Sequence, residues 1–138
     1  MIVWDTGPLM AAADSDDEHH ARSVALMRRT PQPLLVPYPV LTEVCFMLER
    51  EKGTRAEAAF LRSISTGQIS LIPLARQDLD RMVELVREVQ RLPTRRRRRL
   101  RARGPRQPAE RLDADAIATL DRRHFSVVRL TKPIALLP

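Results

Sequence analysis

Three acidic residues stand where an α/β chain would put chemistry. Asp5 closes the β-rich run "IVWD" just before Thr6-Gly7-Pro8 breaks it, and Asp121 closes the apolar run "DAIATLD". Glu43 lies on the predicted first turn of the helix "VLTEVCFMLEREKG", which follows the proline-bounded strand "PLLVPYP". In open α/β sheets the carboxyl ends of the strands gather along one edge, and ligands bind there. Carboxylates collected at such an edge repel one another unless a cation neutralises them, and all-oxygen ligands favour Mg²⁺ or Mn²⁺ over zinc. Such ions activate water and stabilise charge in phosphodiester cleavage. The same residues have plainer uses: Asp5 or Asp121 can cap the turn that follows, and Glu43 can be a solvated acid favoured by the helix dipole. Spacing alone leaves both readings open.

Positioning those acids requires strands and helices in alternation. Short β-rich runs predict strands near 2–5, 34–37, 69–72, 115–120 and 127–130. Between them, Leu9 to Ala13 reads as one helical turn, and "DDEHHARSVALMRR" as a helix over about 16–29 with acids in its first turn. A second helix ends at the cap-like Lys52-Gly53, and a third opens on a Thr54/Glu57 capping box. "RQDLDRMVELVREVQRL" carries Leu79, Met82, Val83, Leu85, Val86 and Val89 at helical intervals, and "AERL" resembles a last helical turn. The pattern predicts a single α/β domain over 1–138 with a central parallel sheet of about five short strands, flanked by helices.

A chain of 138 residues, 43% hydrophobic, can bury one core without staples. The lone cysteine, Cys45, sits in "EVCFML" and reads as a packed hydrophobe. No signal peptide and no apolar stretch of membrane-spanning length is apparent, so no membrane partner and a cytoplasmic location are expected. Four glycines hide no phosphate loop, and no nucleophile elbow supports a Ser/His/Asp hydrolase. Adjacent His19 and His20 point apart on a helix and cannot form a zinc pair, whereas His124 could approach Asp121. Trp4 and Tyr38, at predicted strand ends, read as packing residues.

The net charge of +7 would suit a nucleic-acid partner, but nine arginines fall between positions 91 and 106, where no acid occurs. The remainder carries 15 basic against 17 acidic residues. Residues 91–108 therefore form an Arg/Pro-rich, aberrant or disordered segment within the domain. It reads as a basic arm for RNA phosphates, as a solvated charge run, or as text from a shifted reading frame. No aromatic residue interleaves it for base stacking.

"IVWDTGPLMAAAD", "LLVPYPVLTEVCFML" and "DADAIATLDRRHFSVVR" together resemble the best-preserved stretches of the PIN-domain ribonucleases, most closely the VapC-type toxins of toxin–antitoxin pairs. The resemblance spans about residues 1–90 and 109–130. It implies a PIN-like fold and a Mg²⁺- or Mn²⁺-dependent endoribonuclease acting as a toxin. Asp5 is then the principal metal ligand with Thr6 as hydroxyl support, Glu43 and Asp121 complete the catalytic and metal-binding acids, and Phe125 packs. RNA is the implied substrate, a small antitoxin the implied partner, and a homodimer the implied assembly. The family carries one further aspartate on the helix before the last acid, where this chain reads "TRRRRRLRARGPRQP" and where Gly104, Pro105 and Pro108 predict a broken helix. Asp113 and Asp115 are the nearest candidates. Because codons such as GTC-GAC-GCC yield arginine codons one nucleotide out of register, compensating frameshifts would produce such a block. The alternative to the nuclease is a catalytically impaired remnant that binds RNA or antitoxin without cutting.

Overall fold

The computed structural model describes residues 1–90, 105–122 and 133–137. In chain order it contains β1 (Ile2–Trp4), α1 (Thr6–Ala13), α2 (His20–Arg29), β2 (Leu34–Pro37), α3 (Tyr38–Lys52), α4 (Thr54–Ser65), β3 (Ile69–Ile72), α5 (Arg76–Gln90), α6 (Arg106–Arg111), β4 (Ala116–Ala118) and β5 (Ala135–Leu137). The five strands form one parallel sheet in the order β3-β2-β1-β4-β5. This is the expected α/β, PIN-like architecture. Chain order runs outward from β1 to β3, then returns to the other side of β1 for β4 and β5. The reversal makes the β1/β4 boundary the point at which an open sheet leaves a crevice at its carboxyl edge.

Alternation along each strand sends successive side chains to opposite faces. Trp4, Leu34, Val36, Ile69 and Ala118 join Leu9, Met10, Leu26, Val40, Val44 and Leu48 in the larger core, beneath α1 to α4. Val3, Ile72 and Ile117 meet Ala109 and Ala114 in a smaller core, under α6. Among the described residues, polar contacts also join α5 to α6 on that side. Asp78 of α5 is 1% exposed and takes the Arg111 Nε of α6 at 3.1 and 3.0 Å on its two oxygens, while Arg81 reaches Glu110 at 3.7 Å.

Several element boundaries differ from expectation for local reasons. α2 starts at His20, not near 16, because Asp14 and Asp17 turn back on the backbone, accepting the Asp16 and His19 amides at 3.2 and 2.7 Å. α1 is a full eight residues, capped by Asp5, with Gly7 and Pro8 in a first turn that needs neither of their amides. α4 has no capping box: Gly53, at φ 83°, ends α3 and precedes α4, and no side chain caps it. α6 begins at Arg106 despite the flanking prolines, since Pro108 falls in its first turn. The strand predicted at 127–130 lies outside the described residues, and β5 at Ala135–Leu137 was not anticipated.

Trp4 is fully buried, as its reading as a packing residue requires, but Tyr38 is 49% exposed. α3 begins at Tyr38 itself, so its side chain leaves from a helix start rather than from beneath a loop.

Candidate active site

Strand register brings the site together. β1 and β4 pair Ile2 with Ala116, Val3 with Ile117 and Trp4 with Ala118, and the Asp5 amide continues the ladder by donating to the Ala118 carbonyl at 2.9 Å. One residue further on, Asp5 and Thr119 lie side by side. The backbone of Asp5 is still extended, which makes it the N-cap of α1. Its Oδ1 accepts the Thr6 amide at 2.8 Å and its Oδ2 accepts the Thr119 hydroxyl at 2.7 Å. The Thr119 oxygen in turn accepts the Asp121 amide at 3.1 Å, so the hydroxyl links the two strand-end acids. From the other side, the Thr6 hydroxyl donates to Glu43 Oε2 at 2.8 Å. Gly7 keeps this corner closed: a Cβ there would lie 3.2 Å from Leu120 Cβ, in the segment that carries Asp121.

Burial pushes the Asp5 carboxyl above its ordinary range; the Thr119 and Thr6 hydrogen bonds oppose that rise, and the charges of Glu43 and Asp121 add to it. Glu43 and Asp121 therefore both act on Asp5 through space, at the carboxyl edge of the sheet. The donor set is entirely oxygen, which suits a hard divalent cation. Among the described residues no three His, Cys, Asp or Glu side chains converge as a group that could hold a metal ion.

Each expected site residue can now be placed. Asp5 ends β1, Asp121 follows β4, and Glu43 projects from α3, in its second turn rather than its first because the helix starts earlier, at Tyr38. Thr6 supports the site differently from expectation: its amide serves Asp5, while its hydroxyl serves Glu43. Thr119 was missed altogether. A threonine in "AIATL" looks like strand packing, and only the β1/β4 register reveals its partner. Asp113 and Asp115 do not replace the absent family aspartate. Both precede β4, at the end of the strand away from Asp121, and the Asp115 carboxylate is occupied by the Met1 amino group.

His20 Nδ1 meets the Ala11 carbonyl, and His19 meets Glu18 and Arg22, so both stay with local surface contacts. Cys45 is partly buried, and burial raises its thiol. His124, Phe125 and residues 91–104 lie outside the described residues.

An open parallel sheet with acids at its switch point is the arrangement of a ligand-binding α/β fold, and comparison with known proteins gives its family. The chain belongs to the PIN domain family, which it matches over residues 2–130. It is 27% identical over 128 residues to ribonuclease VapC26 of Mycobacterium tuberculosis, covering 93% of this chain and 92% of that protein. Its fold matches the crystal structure of M. tuberculosis VapC20, a toxin that cleaves the sarcin-ricin loop, with a TM-score of 0.72 at 18% identity. That superposition covers 96% of this chain and 100% of VapC20. The relatives are thus VapC-type ribonucleases. No helix among the described residues is long and apolar enough to cross a membrane.

Proposed function

We propose that the protein is a divalent-metal-dependent endoribonuclease, the toxin of a toxin–antitoxin pair, acting in the cytoplasm. The observation that carries this reading is the clustering of Asp5, Glu43 and Asp121 around two threonines at the sheet's switch point. Asp5 would hold Mg²⁺ or Mn²⁺, with Glu43 and Asp121 completing the acidic pocket. The bound ion would supply an activated water and charge stabilisation at the scissile phosphate. The chain's own contribution is orientation. Thr6 and Thr119 fix the carboxylate directions before substrate arrives, and mutual repulsion among the acids makes the pocket receptive to a cation. An antitoxin that covers the pocket, and a homodimer, are the partners this reading implies.

RNA cleavage by the purified protein with Mn²⁺ or Mg²⁺, beside Asp5→Asn, tests it. The expected result is cleavage that depends on the metal and disappears in the variant, by a factor of about a hundred or more, since the principal ligand is lost. Cleavage that survives in Asp5→Asn overturns the assignment.

A second reading, an impaired remnant that binds without cutting, is favoured by one observation. Arg106 and Gln107, in the first turn of α6, are only 8% and 3% exposed, and burial lowers the Arg106 guanidinium from its ordinary value. Charged and amide side chains are poor choices for a helix that covers a sheet. On this reading the arginine block replaced a helix that bore the further acid, and neither the wild type nor Asp5→Asn cleaves RNA.

A further inference from the structure

We infer that Phe46 and Arg50 of α3 form a platform for single-stranded RNA: Phe46 stacks on a base of the strand whose phosphate enters the acidic pocket, and Arg50 holds a neighbouring phosphate. The inference rests on the reading above that RNA is the substrate, and it gives the strand a surface to lie on beside the acids.

The first observation is the exposure of one ring. Trp4 and Phe60 pack in or against the larger core. Phe46 does not; at 60% it is the most exposed of the large hydrophobic side chains among the described residues. Val40, Val44 and Leu48 turn the inner face of α3 to the core, and at about 3.6 residues per turn Phe46 falls on the opposite side. A single exposed apolar side chain needs no explanation by itself. This one carries a cation: the Arg50 guanidinium lies over its ring, 5.5 Å from the centroid, within the range of a cation–π contact.

The second observation is the line the pair shares with the site. Glu43, Phe46 and Arg50 recur at the three- and four-residue intervals that stack side chains along one stripe of a helix. The stripe starts at the acidic pocket, where Glu43 accepts the Thr6 hydroxyl at 2.8 Å. Neighbours on such a stripe are about 5–6 Å apart between Cβ atoms, a step that one nucleotide spans. A phosphate at the acids and a base on Phe46 then belong to the same or adjoining nucleotides.

The surroundings favour RNA over a protein partner. Thr42, Glu49 and Arg50, the other exposed residues around Phe46 on α3, are polar, so the ring is not part of an apolar patch of the kind that subunits bury. Unpaired RNA is held by aromatic rings and guanidinium planes, and stacking tolerates any sequence because every base has a π-face. Arg50 covers one face of the ring, and its pairing with Glu51 at 3.1 Å is a surface contact that a phosphate displaces at little cost. The exposure of Phe46 leaves the other face to a base. The arginine-rich stretch has cations without an aromatic residue among them; α3 has both in a single turn.

The test titrates the full chain into a fluorescein-labelled oligoadenylate of about ten nucleotides, the length of one single-strand site, in chelator so that binding is read without cleavage. An abasic strand of equal length keeps the phosphates and removes the bases. Phe46→Leu keeps an apolar side chain without the π-face; it should bind oligoadenylate roughly five- to a hundredfold more weakly, the scale of one stacked base, and the abasic strand as wild type does. Phe46→Trp should bind oligoadenylate at least as tightly as wild type, and its new indole should be quenched by the strand while the emission of buried Trp4 stays constant. Arg50→Gln should weaken both strands alike and reduce the salt slope by about one. All three changes are at exposed positions, and circular dichroism checks that the variants are folded. Equal oligoadenylate affinity in wild type and Phe46→Leu overturns the proposal, and a lower sedimentation coefficient in that variant would then make Phe46 a contact between copies of the chain. Binding or cleavage by wild type that ignores Phe46 sinks the inference alone, whereas a wild type that neither binds oligoadenylate nor cleaves RNA with Mn²⁺ takes the functional reading with it.

Discussion

At the scale of single residues, the site stores an electrostatic cost that a bound cation would relieve. The Asp5 carboxyl is raised by burial first, then by its acidic neighbours. A carboxyl raised in the folded state holds its proton more tightly folded than unfolded. It contributes stability that is full below its ordinary value of 3.8 and lost as pH rises through the folded value. At neutral pH, ionised Asp5 is therefore a net burden on the metal-free fold. Asp5→Asn should melt higher than wild type at pH 7 in chelator, and the difference should shrink as the pH is lowered through the acidic range. Saturating Mn²⁺ should reverse the order, stabilising wild type by about 2.7 kcal/mol at a hundredfold excess over Kd and the variant not at all. Differential scanning calorimetry across pH, with and without Mn²⁺, reads both effects. A variant that melts lower than wild type in chelator would contradict the burial argument. The placement of the same residue was legible, since a β-rich run that ends in Asp before Thr-Gly-Pro marks a strand end, where Asp5 also caps α1. Thr119 was not legible, because nothing local distinguishes a hydroxyl that crosses to another strand from one that serves its own.

At the scale of elements, the helices and strands were readable where periodicity was long and unreadable where side chains competed with backbone. β2 and β3 fall at the predicted positions because "LLVP" and "ISLI" are short apolar runs of a sheet covered on both faces. The start of α2 was misplaced because Asp16, Asp17 and Glu18 mimic a first turn, whereas Asp14 and Asp17 hold a turn outside the helix. β5 escaped because "ALL" has no β-branched residue and spans three positions.

The least foreseeable junction is α5 with α6. Asp78 also accepts the Ala75 amide at 2.8 Å, and Arg111 reaches on to the Pro73 carbonyl at 3.0 Å, so one buried pair ties a helix start, a loop and the helix before β4. Asp78→Ala removes the acceptor and leaves Arg111 beside an apolar gap. The expected loss is about 3 kcal/mol, the lower end for a broken buried pair because Arg111 keeps some solvent. A urea titration measures it. Because α6 leads directly into β4, the variant should also weaken Mn²⁺ binding through Thr119; unchanged stability would mean that the pair is not what holds the second face.

At the scale of the whole molecule, the basic charge gathers in one place. The nine arginines of 91–106 supply the entire basic excess, and the turn that begins at the last of them, Arg106 to Pro108, is buried. A basic arm selected for RNA would put its cations in water, where phosphates can reach them. A solvated charge run would do likewise. Arg106, the one of the nine among the described residues, is 8% exposed, with Glu110 and Glu88 offsetting part of its burial and Arg81 adding to it. Of the three readings of the block, a shifted frame is the one that predicts polar side chains at positions a covering helix would fill with apolar ones. Reading codons 90–108 of the gene in its two other frames should give an amphipathic segment bearing at least one aspartate and joining "AERL" in register. A chain rebuilt with that segment should be more stable in urea, by about 1 to 4 kcal/mol, the range for exchanging buried charge for apolar packing. It should also bind Mn²⁺ more tightly and cleave RNA faster than the present chain. If neither frame encodes an acid-bearing helix, the arginines are the gene's own, and they should instead show themselves as RNA binding that weakens steeply between about 50 and 200 mM salt.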